Sequence, residues 1–285
     1  MLAVQGNRLA GHPMRFGADQ EVHAQAPAKA QRGWRQAFLA TIPFLLLARV
    51  YAGGPIAQDP AYHEFADQRR LLGVPHFFDV ASSLPFLFVG VAGMLLCLGA
   101  LRPPRAASWF VFFAGIALAA FGSGYYHWAP GDAALFWDRL PMTIAVTALL
   151  VALVSEQVGE RLERWLLGPA LLAGVASLLW WRESGDLRLY FCVQLAPLIC
   201  LPYVLLLFRR AYTHRHFLAC ALALFVLAKL AEAWDLEIFA LSSGAVSGHT
   251  LNHLFTAAAA LCIYVMLRQR KPATRRALPA AGSAG

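Results

Sequence analysis

Apolar residues along this chain fall in eight long runs, at about 36–53, 77–101, 107–127, 138–155, 165–181, 188–208, 216–240 and 248–267. A membrane core about 30 Å thick requires about 20 mostly apolar residues per helical crossing. Between the runs lie a polar stretch to about Gln31, a charged loop from Gln58 to Pro75, short connectors and a basic tail from Arg268. The pattern predicts an all-α polytopic membrane protein with a tail over 1–35, a transmembrane domain over 36–267 and a second tail over 268–285. Arg32 and Arg35, followed by a short apolar stretch and Val50-Tyr51-Ala52, loosely resemble a signal peptide. The long segment before them favours an uncleaved helix. Cleavage would leave the other seven spans in the same orientation.

Composition agrees with this reading. Of 285 residues, 59% are hydrophobic and 14% charged, whereas a soluble domain carries roughly 25% charged residues. An ordinary soluble enzyme and a disordered chain are both excluded. The net charge of +8 reads as the bias of cytoplasmic loops toward Lys and Arg, not as a nucleic-acid surface. With the amino terminus on side one, that side receives Arg8, Arg15, Lys29, Arg32, Arg35, Arg102, Arg105, Arg161, Arg164, Arg209, Arg210, Arg215 and the basic residues from Arg268 to Arg276. Side two receives Arg69, Arg70, Arg139, Arg182 and Arg188. Both termini are therefore expected in the cytoplasm. Cys97, Cys192, Cys200, Cys220 and Cys262 all sit in apolar runs with no CxxC spacing, which indicates neither a disulfide framework nor a thiolate zinc site.

Polar residues inside or at the ends of membrane helices are costly, which makes them functional candidates. Three clusters occur: Ser123, Tyr126 and His127 with Asp138; Ser247, His249, Asn252 and His253; and Asp79, Ser82 and Ser83. Residues four apart share a helix face, which pairs Ser123 with His127 and His249 with His253. Span two starts, span three ends, and spans four and eight start on one side of an eight-span chain. All three clusters are thereby expected at one depth, near the extracytoplasmic surface. Three neutral imidazoles suit zinc, with a fourth position left for water, and zinc lowers the pKa of its water to about 7 and polarises carbonyls. Asp138 is then a candidate general base and Ser123 a candidate oxyanion donor, with metal-assisted hydrolysis of an acyl bond as the chemistry. Interhelical hydrogen bonding is the bland alternative for a lone HxxxH. A bis-histidine haem is another, less suited to three histidines crowded with a carboxylate.

Lys229, Glu232 and Asp235 recur every third residue along span seven. They are expected to form an ion network, with Asp235 the member closest to the site. Trp128, Trp137, Trp180, Trp181 and Trp234 read as an interfacial belt. His63, His214 and His216 are expected in loops, exposed to solvent; His76 is left open.

The motifs His63-Glu64-Phe65-Ala66-Asp67-Gln68-Arg69, Asp79-Val80-Ala81-Ser82-Ser83-Leu84-Pro85-Phe86, Gly122-Ser123-Gly124-Tyr125-Tyr126-His127, Asp138-Arg139-Leu140-Pro141-Met142 and Ser247-Gly248-His249-Thr250-Leu251-Asn252-His253 resemble, in order and spacing, those of the alkaline ceramidase family. The likeness spans about residues 60 to 267, and the bacterial-type members are its nearest form. That family consists of seven-helix membrane hydrolases related to the progestin and adipoQ receptors. The resemblance implies zinc held by His127, His249 and His253 and catalysis by Ser123 and Asp138; Asp79, Ser82 and Asp235 are read as supporting residues beside them. Spans two to eight would be the family helices, with span one an addition. Family members commonly carry Asn where Asp79 and Ser83 stand, and bacterial relatives often carry Lys where Asn252 stands; these departures fall on substrate contacts rather than on ligands. The acidic calcium loop of eukaryotic ceramidases has no match around Glu64 and Asp67, and calcium is not assigned. The implied function is a zinc-dependent amidase that cleaves ceramide or a related N-acyl lipid to a fatty acid and an amine. A receptor-like protein with a structural zinc and no turnover is the second hypothesis. Ser123 and Asp138 argue for the enzyme, because a purely structural zinc needs neither. A transporter is disfavoured, since no paired, Gly/Pro-broken helices mark a midplane site.

Overall fold

A computed structural model of the protein describes residues 18–100, 103–207 and 212–271. The tails up to 17 and from 272, with Arg102, Arg209 and Arg210, lie outside the described residues. The described chain is helical: α1 (Ala18–Tyr51), a 3₁₀ turn (Pro60–His63), α2 (Phe77–Ala81), α3 (Leu84–Leu98), α4 (Ala106–Trp128), α5 (Asp132–Val158), α6 (Glu160–Ser184), α7 (Arg188–Leu207), α8 (His216–Ala233), α9 (Asp235–Leu241) and α10 (Gly248–Gln269). Among the described residues, seven helical segments are long and apolar enough to cross a membrane: α2 with α3, then α4, α5, α6, α7, α8 and α10. This is the architecture of a multi-pass membrane protein. Large apolar side chains such as Phe88, Leu95, Leu172 and Leu206 face outward from the bundle, the surface that a helix presents to lipid rather than to water.

Two expected spans are interrupted, both beside the site. The run 77–101 breaks at Ser82 and Ser83, with Pro85 in the first turn of α3, where a missing N–H costs nothing. The run 216–240 ends at Ala233: Trp234 leaves the helical region at φ −112°, ψ 38°, and Asp235 opens the short α9. The eighth expected span, 36–53, coincides with the end of α1, which begins far earlier at Ala18, stops at Tyr51 and is not among the seven. Its carboxyl-terminal half packs Leu39 and Ile42 against Val154 of α5 and against Cys200 and Val204 of α7.

Helix α4 runs through the bundle between α3 and α5, and α10 closes it against α8 and α3. Trp109, Phe113 and Ile116 of α4 form one core with Ala148 and Ala152 of α5, Leu201 of α7, and Ala260 and Ile263 of α10. Small residues set how closely these helices approach, as is usual where lipid provides no hydrophobic drive between them. Two glycines matter for the site. A Cβ on Gly122 would lie 2.3 Å from the Trp137 carbonyl oxygen, and one on Gly248 would lie 2.1 Å from that of Ala231. Glycine thus lets the end of α4 touch the start of α5, and the start of α10 touch the end of α8, where the functional residues sit.

Candidate metal centre

The site is built from helix ends. His127 closes α4, and His249 and His253 occupy the first two turns of α10. Helix α10 begins at a defined place because Ser247 caps it, its hydroxyl accepting the Thr250 N–H at 2.9 Å, and because Asp235 Oδ1 accepts the His249 N–H at 2.7 Å. The second Asp235 oxygen accepts the Ala66 N–H at 2.9 Å. Asp235 therefore positions the helix and the loop above it. It lies outside α8 and takes no part in an ion network with Lys229 and Glu232, which pair with each other at 2.5 Å. This corrects the expected three-residue stripe, and the break at Trp234 is its cause.

The three imidazoles are buried and converge. Nε2 of His127 lies 3.2 Å from Nε2 of His249 and 3.3 Å from Nε2 of His253, and the three ligand atoms all lie within 4.8 Å of one another. Nitrogens about 2.0–2.1 Å from a tetrahedral zinc stand about 3.3–3.4 Å apart, so the two measured separations fit a shared ion. The tautomer of His253 fits as well. Its Nδ1 lies 2.8 Å from Ser82 Oγ and 3.1 Å from the Asp79 carbonyl. That carbonyl can only accept, and the Ser82 hydroxyl donates to it at 3.0 Å. The His253 Nδ1 must then carry hydrogen, which leaves the Nε2 lone pair for a metal. His127 lacks this support: its Nδ1 is buried with no partner among the described residues. A buried His127/His249/His253 group can thus hold a metal ion.

Asp79 and Ser82 sit behind the ligands. The fully buried Asp79 accepts from Thr250 Oγ1 at 2.7 Å and lies 3.2 Å from Ser247 Oγ, which locks α2 to the start of α10. Its backbone carbonyl takes His253, Ser82 and Ser83. Ser123, also buried, has its Oγ 3.2 Å from His253 Nε2 and 3.1 Å from Ser83 Oγ. Asp138 lines the same cavity as Ser123, His249 and His253. That cavity is elongated. It continues from these polar groups between Phe86, Phe112, Ile116, Leu149, Leu201, Leu222 and Ile263, an apolar channel with polar groups at one end.

Several contributors carried no role in the sequence reading. Phe65 packs edge-to-face on His127 and His249, with centroids 4.6 and 5.0 Å away, and nothing in its local pattern marks it. The segment that carries it is pinned by Asp67 and Arg69, paired at 2.5 Å, with the Arg69 guanidinium 4.4 Å over the Phe78 ring. Burial would raise the Asp67 carboxyl, but hydrogen bonds from the Arg69 side chain and backbone outweigh it and hold the group below the usual carboxylate range. Tyr62 donates to Glu232 Oε1 at 3.0 Å. Burial, and then the Glu232 charge, raise its hydroxyl well above the usual phenol range, so it stays a donor. His63, expected in solvent, instead meets the Tyr126 hydroxyl at 2.9 Å and Asp132 at 3.2 Å. His76 Nδ1 donates to the His127 carbonyl at 2.8 Å, steadying the end of α4. Trp128, Trp137, Trp180 and Trp234 are exposed, as a belt requires, but Trp181 is buried beneath the Arg139 guanidinium.

No protein-family model matches the chain, and no curated protein matches it in sequence. The functional reading therefore rests on these residues.

Proposed function

We propose that the protein is a zinc-dependent membrane amidase of the alkaline ceramidase type, hydrolysing the amide of ceramide or a related N-acyl lipid to a fatty acid and an amine. One observation carries this reading: three histidine Nε2 atoms converge, and two of these residues, His249 and His253, line the polar end of an apolar cavity that also displays Ser123 and Asp138. An acyl chain fits the apolar part, and its amide then lies at the polar end. The motif resemblance from His63 to His253 supports the same assignment. Zinc held by His127, His249 and His253 would polarise the amide carbonyl and acidify a water.

The chain's own groups supply the rest. The Ser123 hydroxyl, 3.1 Å from Ser83 Oγ, can turn to donate to the carbonyl oxygen as negative charge develops there. The Asp138 carboxylate takes a proton from the attacking water and delivers it to the leaving nitrogen as the carbon–nitrogen bond breaks. Water's remaining oxygen stays on the acyl carbon, so the products are acid and amine. Phe65 covers the imidazoles and limits solvent around them. Orientation belongs to the same proposal: the Lys/Arg asymmetry puts both termini in the cytoplasm, α1 is an eighth crossing, and the site lies near the extracytoplasmic face.

The test is elemental analysis of the purified protein alongside hydrolysis assays on ceramide and other N-acyl lipids. One zinc per chain with release of fatty acid is expected. Zinc without turnover on any N-acyl lipid would favour the receptor-like alternative, and a protein that binds no zinc would refute both.

A further inference from the structure

Arg139 is 5% exposed, and its guanidinium lies among three aromatic rings: Trp181 at 4.5 Å, Tyr190 at 4.7 Å and Tyr62 at 5.5 Å. Nη2 donates to the Gln58 side-chain oxygen at 2.7 Å, while the buried Nη1 has no partner among the described residues. Three other arginines pair with carboxylates, Arg69 with Asp67, Arg188 with Asp186 and Arg270 with Glu156, and Arg35, Arg105 and Arg215 donate to backbone carbonyls at helix ends. Arg139 has no carboxylate within ion-pair distance among the described residues. Asp138 is its neighbour in sequence, but consecutive helical residues diverge by about 100° around the axis. The other cation on the cavity wall, Lys229, is held by Glu232. An unpaired buried charge is costly, yet this one lines the cavity that holds Ser123, Asp138 and His253.

We propose that Arg139 is the anion-recognising group of this cavity and takes a carboxylate carried by the lipid. The inference rests on the reading of the cavity as the lipid-amide site, and it narrows the substrate class from neutral amides such as ceramide toward N-acyl amino acids. A guanidinium whose Nη1 is unpartnered among the described residues is suited to a carboxylate in a way that no neutral headgroup matches. The aromatic rings fix its plane, so the recognising edge is preorganised rather than ordered on binding. The same carboxylate chemistry could also come from the fatty-acid product, and the experiment separates the two sources.

Full-length protein, stripped of metal so that no carboxylate binds at the histidines, is titrated in neutral detergent with N-palmitoylglycine, N-palmitoylethanolamine and palmitate. Displacement of a fluorescent fatty acyl probe provides the readout. One charge-assisted contact predicts that N-palmitoylglycine binds about 10- to 100-fold tighter than the ethanolamide. Arg139→Gln should erase that preference and Arg139→Lys should retain part of it. Preference for N-palmitoylglycine over palmitate assigns the carboxylate to the headgroup. Palmitate binding as tightly, and equally dependent on Arg139, assigns it to the product end. Equal binding of the ethanolamide and both acids to the wild-type protein would overturn the proposal, even if the variants fail to fold. The outcome is independent of catalysis: a carboxylate preference without hydrolysis would sink the amidase reading and leave this one standing, and the converse result would do the opposite.

Discussion

Ser82→Ala isolates the support behind one ligand. The His253 Nδ1–H has two acceptors, Ser82 Oγ at 2.8 Å and the Asp79 carbonyl at 3.1 Å, and the substitution removes the shorter contact. Loss of a hydrogen bond behind a metal-bound histidine typically costs 10- to 100-fold in affinity. The retained carbonyl places this case at the lower end, about 10-fold, or about 1.4 kcal/mol. Metal-free protein titrated with zinc in a competing chelator buffer measures it, with His253→Ala as the reference that loses most binding. Ser83→Ala is the decisive control. Ser83 bonds the same Asp79 carbonyl and Ser123 but touches no imidazole, so its removal should leave zinc affinity unchanged. Wild-type affinity in Ser82→Ala would refute the argument that this hydroxyl orients a ligand. Equal weakening in both variants would show that the α2–α3 turn had collapsed instead.

Asp138→Asn should keep its zinc and lose about 10²–10⁴-fold in turnover, and Ser123→Ala about 10²–10³-fold with zinc retained; loss of zinc in Asp138→Asn would make Asp138 part of the metal's support, and unchanged turnover would end its role as base. Gly248→Ala must push a Cβ into the Ala231 carbonyl and the Asp235 Cα, at 2.1 and 2.7 Å, neither of which is a flexible side chain, so thermal unfolding should fall by several degrees and zinc binding should weaken with it. Because Asp67 has a lowered pKa in the folded protein, its pairing with Arg69 contributes fully above the unfolded value near about 3.9 and is lost as pH falls through the folded value; protease sensitivity of the 64–76 segment should rise over that acid range, and Asp67→Asn should show it already at neutral pH. A reporter fused after Arg276 should be cytoplasmic and one inserted between Gln58 and Arg70 extracytoplasmic, and reversed signals would place the site on the cytoplasmic side.

Hydropathy made the seven crossings legible because a lipid-facing helix must be apolar along its whole length, whatever it packs against. The convergence of His127, His249 and His253 was legible for a related reason: helices that cross alternately bring only certain ends to one side, so the parity of crossings constrains the depth of a polar group even where its contacts are unknown. Parity does not constrain contacts made by irregular backbone. The breaks at Ser82–Ser83 and at Trp234 lie inside runs that read as continuous, and they decide that Asp235 grips the backbone of His249 and Ala66 rather than extending the charges of α8. Phe65 reaches the imidazoles through a loop with no period to read. Arg139 is a different case, since a cation one residue after Asp138 within an apolar run was visible, yet it was counted only among the positive charges that set orientation. Burial under Trp181 and Tyr190 turns it from a topology marker into a wall of the cavity. Charges near the ends of membrane helices can serve either purpose: Arg188 at the start of α7 is held by Asp186, whereas Arg139 lines the cavity with its buried Nη1 unpartnered among the described residues.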